Sequence, residues 1–281
     1  MSALARGPRF SAYCATASAA LAGACSTAGN NWLSEPATAD SEDLKASAIV
    51  APAPEVASID PSRFRTKVLG SEEERPEVAR ERTRKEPLLG NVLGTFRNTY
   101  YDFPAEADLV GDRVTVRDAR CGAIAEVPKA FHDAICVQGS GILKSGRIVS
   151  FAKRDCECAE TCPRTGQKIC FDTLDPNKFP WGRGALGTAI TPLLTVAVDD
   201  TVIPMGTALY IPELDGLPVD AARSAFHDGC FIAQDRGLRV KGQHVDIFTG
   251  HAATTELWNK LVPSNHGVTV VLKSPRCARA E

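Results

Sequence analysis

With 281 residues, a formal charge of −2 and 44% apolar side chains, the chain can build one substantial core or two small ones. This near-neutral balance excludes nucleic acid as a partner class, because phosphate binding normally needs a basic face.

The first 25 residues read as an export signal. Arg6 and Arg9 supply the positive start, and 11–24 is a mostly small, apolar run too short to span a bilayer. Its end, LAGAC at Leu21 to Cys25, leaves two readings open. Ala22-Gly23-Ala24 fits a small-x-small cleavage site, whereas Cys25 fits a lipid acceptor, although Ala22 stands where a lipobox usually carries Leu. The polar and small residues from Ser26 to Glu35 favour lipidation at Cys25, which would hold the chain at a membrane surface. The expected location is the periplasm, attached to the outer membrane.

Residues 26–87 read as a disordered linker, rich in Ala, Pro, Glu, Ser and Arg and closing on the charge-dense SEEERPEVARERTRKEP. Such a composition cannot bury enough apolar surface to offset its ordering entropy. A tether is the expected role.

From Leu88 the pattern changes to short apolar runs between turn residues, so a folded domain is expected over 88–281. Strands are predicted around Thr95–Phe103, Ala134–Ser140, Gly146–Lys153, Leu193–Val198, Thr207–Ile211, Phe231–Asp235, His244–Phe248 and Gly267–Leu272. One helix is predicted over His251–Leu261, where Ala252, Leu257, Trp258 and Leu261 share a face. Many short strands with few short helices predict a mainly β protein built on a small closed or nearly closed barrel.

Once Cys14 leaves with the signal and Cys25 is set apart, Cys121, Cys136, Cys156, Cys158, Cys162, Cys170, Cys230 and Cys277 remain. An even number in an exported domain favours disulfides, with a disulfide-rich insertion at 154–172. Zinc is the rival reading, because four thiols fall within Cys156–Cys170, but their C-x-C-x3-C-x7-C spacing lacks the paired knuckles of common zinc sites. The pairing is left open by sequence.

Two stretches carry the candidate chemistry: TVAVDDTVIPMGTAL (195–209) and QDRGLRVKGQHVDIF (234–248). Together with Leu186-Gly187 and Thr191-Pro192 before them, they resemble the 3D domain, named for three aspartates, of MltA-type membrane-bound lytic transglycosylases. The resemblance spans roughly 139–273, and Thr99-Tyr100-Tyr101 and Val137-Gln138-Gly139-Ser140-Gly141 also resemble MltA-type segments. It implies a six-stranded double-psi β-barrel. It also implies cleavage of the MurNAc–GlcNAc bonds of peptidoglycan glycan strands to give 1,6-anhydromuramoyl ends. By that resemblance Asp246 is the catalytic acid, and Asp199 and Asp235 are supporting carboxylates.

The chemistry explains how one carboxyl can suffice. An ordinary glycosidase needs two, one to protonate the leaving oxygen and one to attack or to activate water. When the muramoyl 6-hydroxyl is the nucleophile, the attacking group is already held within the substrate, and one residue can donate a proton and later remove one. Asp246 must then start protonated, against an ordinary value of about 3.9. Burial at the barrel mouth and like charge from Asp199 or Asp235 would raise it. On a strand His244 shares the face of Asp246, as a structural partner or a participant.

Lys241, Gln243, Trp181 and Tyr101 are further candidates for substrate contact, Trp181 either stacking on a sugar or covering the edge of the core. The bland reading of the aspartates is that they cap loops, and it is favoured for Asp199 and Asp235. A metal site of His244 and Asp246 with His227 or Asp228 is the disfavoured third reading, so neither metal nor cofactor is expected. Gly182–Gly187 matches G-x-G-x-x-G but follows Pro180-Trp181 instead of a strand, and reads as an approach to the barrel.

In the larger enzymes of this type a second domain is inserted between the TYY-like and QGSG-like segments. Here only Asp102–Val137 separates them, too little for a comparable domain with its own core. The alternative function is therefore a non-catalytic, peptidoglycan-binding barrel that remodels walls. A monomer is expected.

Overall fold

The structure is a computed structural model that describes residues 88–277, so the export signal, Cys25 and the linker lie outside the described residues. In chain order the strands are β1 (Asn91–Asp102), β2 (Arg113–Arg117), β3 (Ala123–Pro128), β4 (Ser140–Ile142), β5 (Ile148–Lys153), β6 (Cys170–Leu174), β7 (Thr195–Val198), β8 (Ala208–Pro218), β9 (Phe226–Asp235), β10 (His244–Gly250) and β11 (Val268–Leu272). Helix α1 (Lys129–Gln138) lies between β3 and β4, and α2 (Ala252–Leu261) between β10 and β11.

Six strands close on themselves in the order β1-β10-β7-β9-β8-β11. β1 runs parallel to β10 and β7 parallel to β9, while the remaining neighbours are antiparallel. This is the six-stranded double-psi barrel expected from the sequence. Strand alternation sends Phe96, Val196, Val198, Val245, Ile247, Val268 and Val270 to one side, where they form the main core with Phe231 and Ala233. α2 adds Trp258 to that core, and its indole N–H donates to the Pro218 carbonyl at 2.8 Å. The helix stops at Val262, just before Pro263, which disfavours helical backbone at the preceding residue.

Residues 105–174 form a second, smaller lobe. β2 and β3 make a hairpin, β4-β5-β6 make a three-stranded sheet, and α1 packs between them. Phe131, Ile135 and Cys136 on one face of α1 meet Val116, Val127, Leu143, Val149, Cys162, Ile169 and Phe171. Thus 134–138 is helical, not the strand expected over Ala134–Ser140. The buried residues Phe131, His132, Ile135 and Cys136 recur at helical spacing, and Gly139 ends the helix at φ 84°, in the left-handed region.

Three disulfides tie this lobe together: Cys121–Cys158, Cys136–Cys162 and Cys156–Cys170. The fourth, Cys230–Cys277, joins β9 to the turn after β11. All eight expected cysteines are paired, and the four sulfurs of the zinc reading are all held in disulfides. Asp102–Val137 does not stand as a unit of its own. It folds with 139–174 into a single reduced lobe with its own core.

Barrel and lobe share a third apolar cluster. Tyr101, Phe103, Trp181, Ala197 and Phe248 pack with Ile142 and Ile148 of the lobe. Arg183, in the segment leading to β7, pairs with Asp172 of β6.

Candidate active site

The parallel pairing of β1 with β10 places Arg97 opposite His244, Thr99 opposite Asp246 and Tyr101 opposite Phe248. Because side chains alternate, these six residues line the face opposite the barrel core, on the side where the lobe packs. The site therefore sits on the outer wall of the barrel beside the seam, not at its mouth.

Asp246 and Asp235 are brought together across β7. Ala197 is the register partner of Asp246 on one side and of Asp235 on the other. Its methyl is the smallest side chain that keeps the strand geometry, and it leaves the two carboxyls room to face each other. Asp235 reaches this face through an irregularity in β9. Val196 pairs with Ala233 but Ala197 with Asp235, so Gln234 is an extra residue that reverses the alternation. The Thr195 hydroxyl anchors that bulge by donating to Gln234 Oε1 at 2.7 Å.

The three aspartates have different surroundings. Asp199 is 8% exposed and accepts from the Gly242 N–H at 2.8 Å and from the Thr201 N–H and hydroxyl at 3.1 and 2.8 Å. These donors, the Gly242 N–H first, hold its carboxyl down to about 2. Gly242 has φ 61°, a left-handed conformation that glycine adopts freely, and so its N–H can turn towards Asp199. Asp199 thereby ties the loop bearing Lys241 and Gln243 to the turn after β7.

Asp235 has both oxygens engaged. Oδ2 accepts from the Tyr101 hydroxyl at 3.0 Å, and Oδ1 from the N–H groups of Arg236 and Ala185 at 2.8 and 3.2 Å. Burial still raises it above the usual carboxylate range, against those donors. The Ala185 N–H is in reach because Gly184 packs against β9. A Cβ there would lie 2.5 Å from the Gln234 carbonyl oxygen, which explains one glycine of the G-x-G-x-x-G stretch without any phosphate.

Asp246 differs from both. Its one hydrogen bond among the described residues is from the Thr99 hydroxyl, 2.6 Å from Oδ1. Burial pushes its carboxyl up to about 6; Thr99 opposes the shift, Asp235 reinforces it, and Arg97 opposes it. Asp199 is not among these causes. His244 is buried, with Nε2 2.8 Å from the Thr99 hydroxyl and Nδ1 3.3 Å from the Arg239 carbonyl. Burial, aided by Arg97, lowers its pKa from the ordinary value.

The other candidates divide. Lys241 and Gln243 are exposed on the loop that precedes β10. Tyr101 is 7% exposed, with a phenol raised well above its usual range by burial and by the charges of Asp235 and Asp246. Trp181 is 4% exposed and packs edge-on against Phe103, Phe248 and His251, so it covers the seam and offers no face for a sugar. His227 is in the barrel core, where its Nε2 lies 2.6 Å from the Leu193 carbonyl and its Nδ1 accepts from the Gly229 N–H. Asp228 caps the Cys230 N–H. Among the described residues, the groupings able to hold a metal consist of disulfide cysteines, with His132 added in one, and none includes His244 or Asp246. Thr99 and Arg97 were not singled out in the sequence. Strand alternation within TFRNTYYDF would have placed them on the Tyr101 face, but only pairing with β10 sets them against His244 and Asp246.

A family model, that of the 3D domain, matches residues 194–262, the segment that holds all three aspartates. This chain carries a 3D domain. The match runs from just before β7 to the end of α2 and so covers β7 to β10 of the barrel wall. Among solved structures, Escherichia coli MltA with bound chitohexaose is similar at 19% identity, over 64% of this chain and 72% of that one, with a TM-score of 0.45. A membrane-bound lytic murein transglycosylase from Agrobacterium tumefaciens is similar at 16% identity, over 75% and 87%, with a TM-score of 0.43. No curated protein sequence matches. No helix among the described residues is long and apolar enough to cross a membrane.

Proposed function

We propose that this 3D-domain protein is a cell-envelope lytic transglycosylase that cleaves MurNAc–GlcNAc bonds of peptidoglycan, with Asp246 as its acid and base. The observation that carries this reading is the contrast among the three carboxyls. Asp199 and Asp235 have both oxygens occupied by donors, whereas Asp246 keeps one oxygen uncommitted and is pushed up to about 6. A carboxyl at that value is about one-tenth protonated at pH 7, roughly a hundredfold more than at its ordinary value, and releases its proton at modest cost, as general acid catalysis requires.

In the proposed reaction Asp246 protonates the glycosidic oxygen as the bond from C1 of MurNAc breaks. The C6 hydroxyl of the same sugar then bonds to C1, and its proton passes to the Asp246 carboxylate. The acid is thereby restored and a 1,6-anhydro end is formed. Asp235 supports the step by its charge, which raises Asp246. Asp199 supports it by holding the Lys241–Gln243 loop beside β10. The exposed Lys241 and Gln243 are the side chains proposed to contact glycan.

Export, lipidation at Cys25, a tether over 26–87, a 3D-bearing domain over 88–281 and a monomeric state complete the proposal, and would place the site within reach of the sacculus from the outer membrane. The test is mass spectrometry of peptidoglycan incubated with the oxidised protein and with Asp246→Asn. Anhydromuropeptides from the wild type alone are expected. Ordinary reducing ends would mean hydrolysis by water, and sacculus binding without products would leave a wall-binding barrel.

A further inference from the structure

We infer that Thr99 and His244 are positioning residues that keep the transferable proton of Asp246 on Oδ2. The inference rests on Asp246 being the acid, and begins from the hydrogens available. The Thr99 hydroxyl has one hydrogen to give and lies between Asp246 Oδ1 at 2.6 Å and His244 Nε2 at 2.8 Å. The Arg239 carbonyl, 3.3 Å from Nδ1, can only accept.

With His244 neutral, two arrangements satisfy both Thr99 contacts. In one, Nε2–H donates to Thr99 and Thr99 donates to Oδ1, so a proton on the carboxyl must reside on Oδ2. In the other, the ring hydrogen is on Nδ1, Thr99 donates to Nε2, and Asp246 donates to Thr99 from Oδ1. The second arrangement points the acid's proton into the protein and cannot exist once Asp246 is ionised. It would require a tautomer change in every turnover. Its gain is the 3.3 Å contact to Arg239, at the long limit of a hydrogen bond.

The first arrangement serves both halves of the reaction unchanged. Oδ2 has no hydrogen-bond partner among the described residues, yet no fully buried side-chain oxygen there lacks one, so Oδ2 is the oxygen that is both unbonded and not sealed off. Its proton passes to the glycosidic oxygen as the C1–O bond breaks, and the proton of the C6 hydroxyl returns to it as the new C1–O bond forms. Throughout, Thr99 donates to Oδ1 and stabilises the carboxylate. The charged groups that act on this pair are Arg97 on both residues and Asp235 on Asp246, and neither occupies the Thr99 hydroxyl.

The deciding experiment is nitrogen-15 NMR of the histidine-labelled full chain. His244 is expected as the Nε2–H tautomer, and a protonated Nδ1 with a bare Nε2 overturns the inference whatever the enzyme does. Kinetics on peptidoglycan supply the second arm. Thr99→Val is expected to lower kcat about tenfold with little change in KM, and to raise the Asp246 pKa seen by carbon-13 NMR, while Thr99→Ser restores both. His244→Leu is expected to lower kcat, and His244→Gln, whose amide nitrogen takes the place of Nε2, to recover most of the loss. His244→Gln as inactive as Asp246→Asn would make His244 a proton carrier and overturn the positioning role. An inactive wild type would refute the proposed function, and the tautomer measurement would still decide this one.

Discussion

The barrel and the lobe solve the same problem with different means. The barrel closes its sheet and so has no edge strand, and a large apolar core including Trp258, Phe96 and Phe231 fills it with one disulfide at its margin. The lobe has a two-stranded and a three-stranded sheet, a core about half that size, and three of the four disulfides. A small core yields too little burial to offset chain entropy, and cross-links that restrict the unfolded chain make up the difference. The carboxyls belong to the barrel, and the lobe meets it along a shared apolar seam.

That division is open to attack at several points. The largest effect expected is on chemistry alone. Asp246→Asn should lower anhydromuropeptide formation by about a thousandfold or more, measured by mass spectrometry, with the circular dichroism of both lobes unchanged. Next comes the barrel core. Trp258→Ala removes a fully buried indole and its bond to Pro218, and should cost about 3–5 kcal/mol in denaturant unfolding. The paired change Cys136→Ala with Cys162→Ala should cost about 3 kcal/mol. Its hydrogen exchange should rise in 105–174 and leave the barrel strands protected. Equal loss of protection in both regions would mean that they unfold as one unit.

Two smaller effects follow from the carboxyls. Asp246 is raised on folding, so its ionisation opposes the fold. That penalty is absent below about pH 4, grows as pH rises towards about 6, and is constant above. Asp246→Asn should therefore stabilise the protein by about 1–3 kcal/mol at pH 7.5 and by little at pH 4, read from urea midpoints. Asp199 has the opposite sign. Its depressed value supports the fold above about pH 4 and ceases to do so as pH falls towards about 2. The smallest effect should come from the exposed pair of Arg236 with Asp200, where Arg236→Ala should change stability by less than about 1 kcal/mol.

Much of the barrel was legible in the sequence because alternation and turn residues are local signals. The runs at Leu193–Val198, Thr207–Ile211, His244–Phe248 and Gly267–Leu272 all fall on strands, and His251–Leu261 on α2. The lobe was harder. Its AICV run in α1 is short and apolar, a pattern that fits a strand or a helix equally until its partners are known. In its hairpin RVTVR alternates but AIAEVP does not, and both lie among charged neighbours that blur the signal.

Residue types and spacing in the sequence alone determined that Asp246 and His244 share a face, that the chain holds a barrel, and that eight cysteines should pair. Tertiary structure decided what each group does. The bulge at Gln234 turned Asp235 to the face of Asp246, Ala197 left space between them, and the β1 register set Thr99 between His244 and Asp246. Burial at the seam covered the Trp181 ring. These facts depend on which strands become neighbours, a matter of long-range pairing that no local pattern encodes, and the proton affinity of a carboxyl follows from the neighbours that pairing supplies.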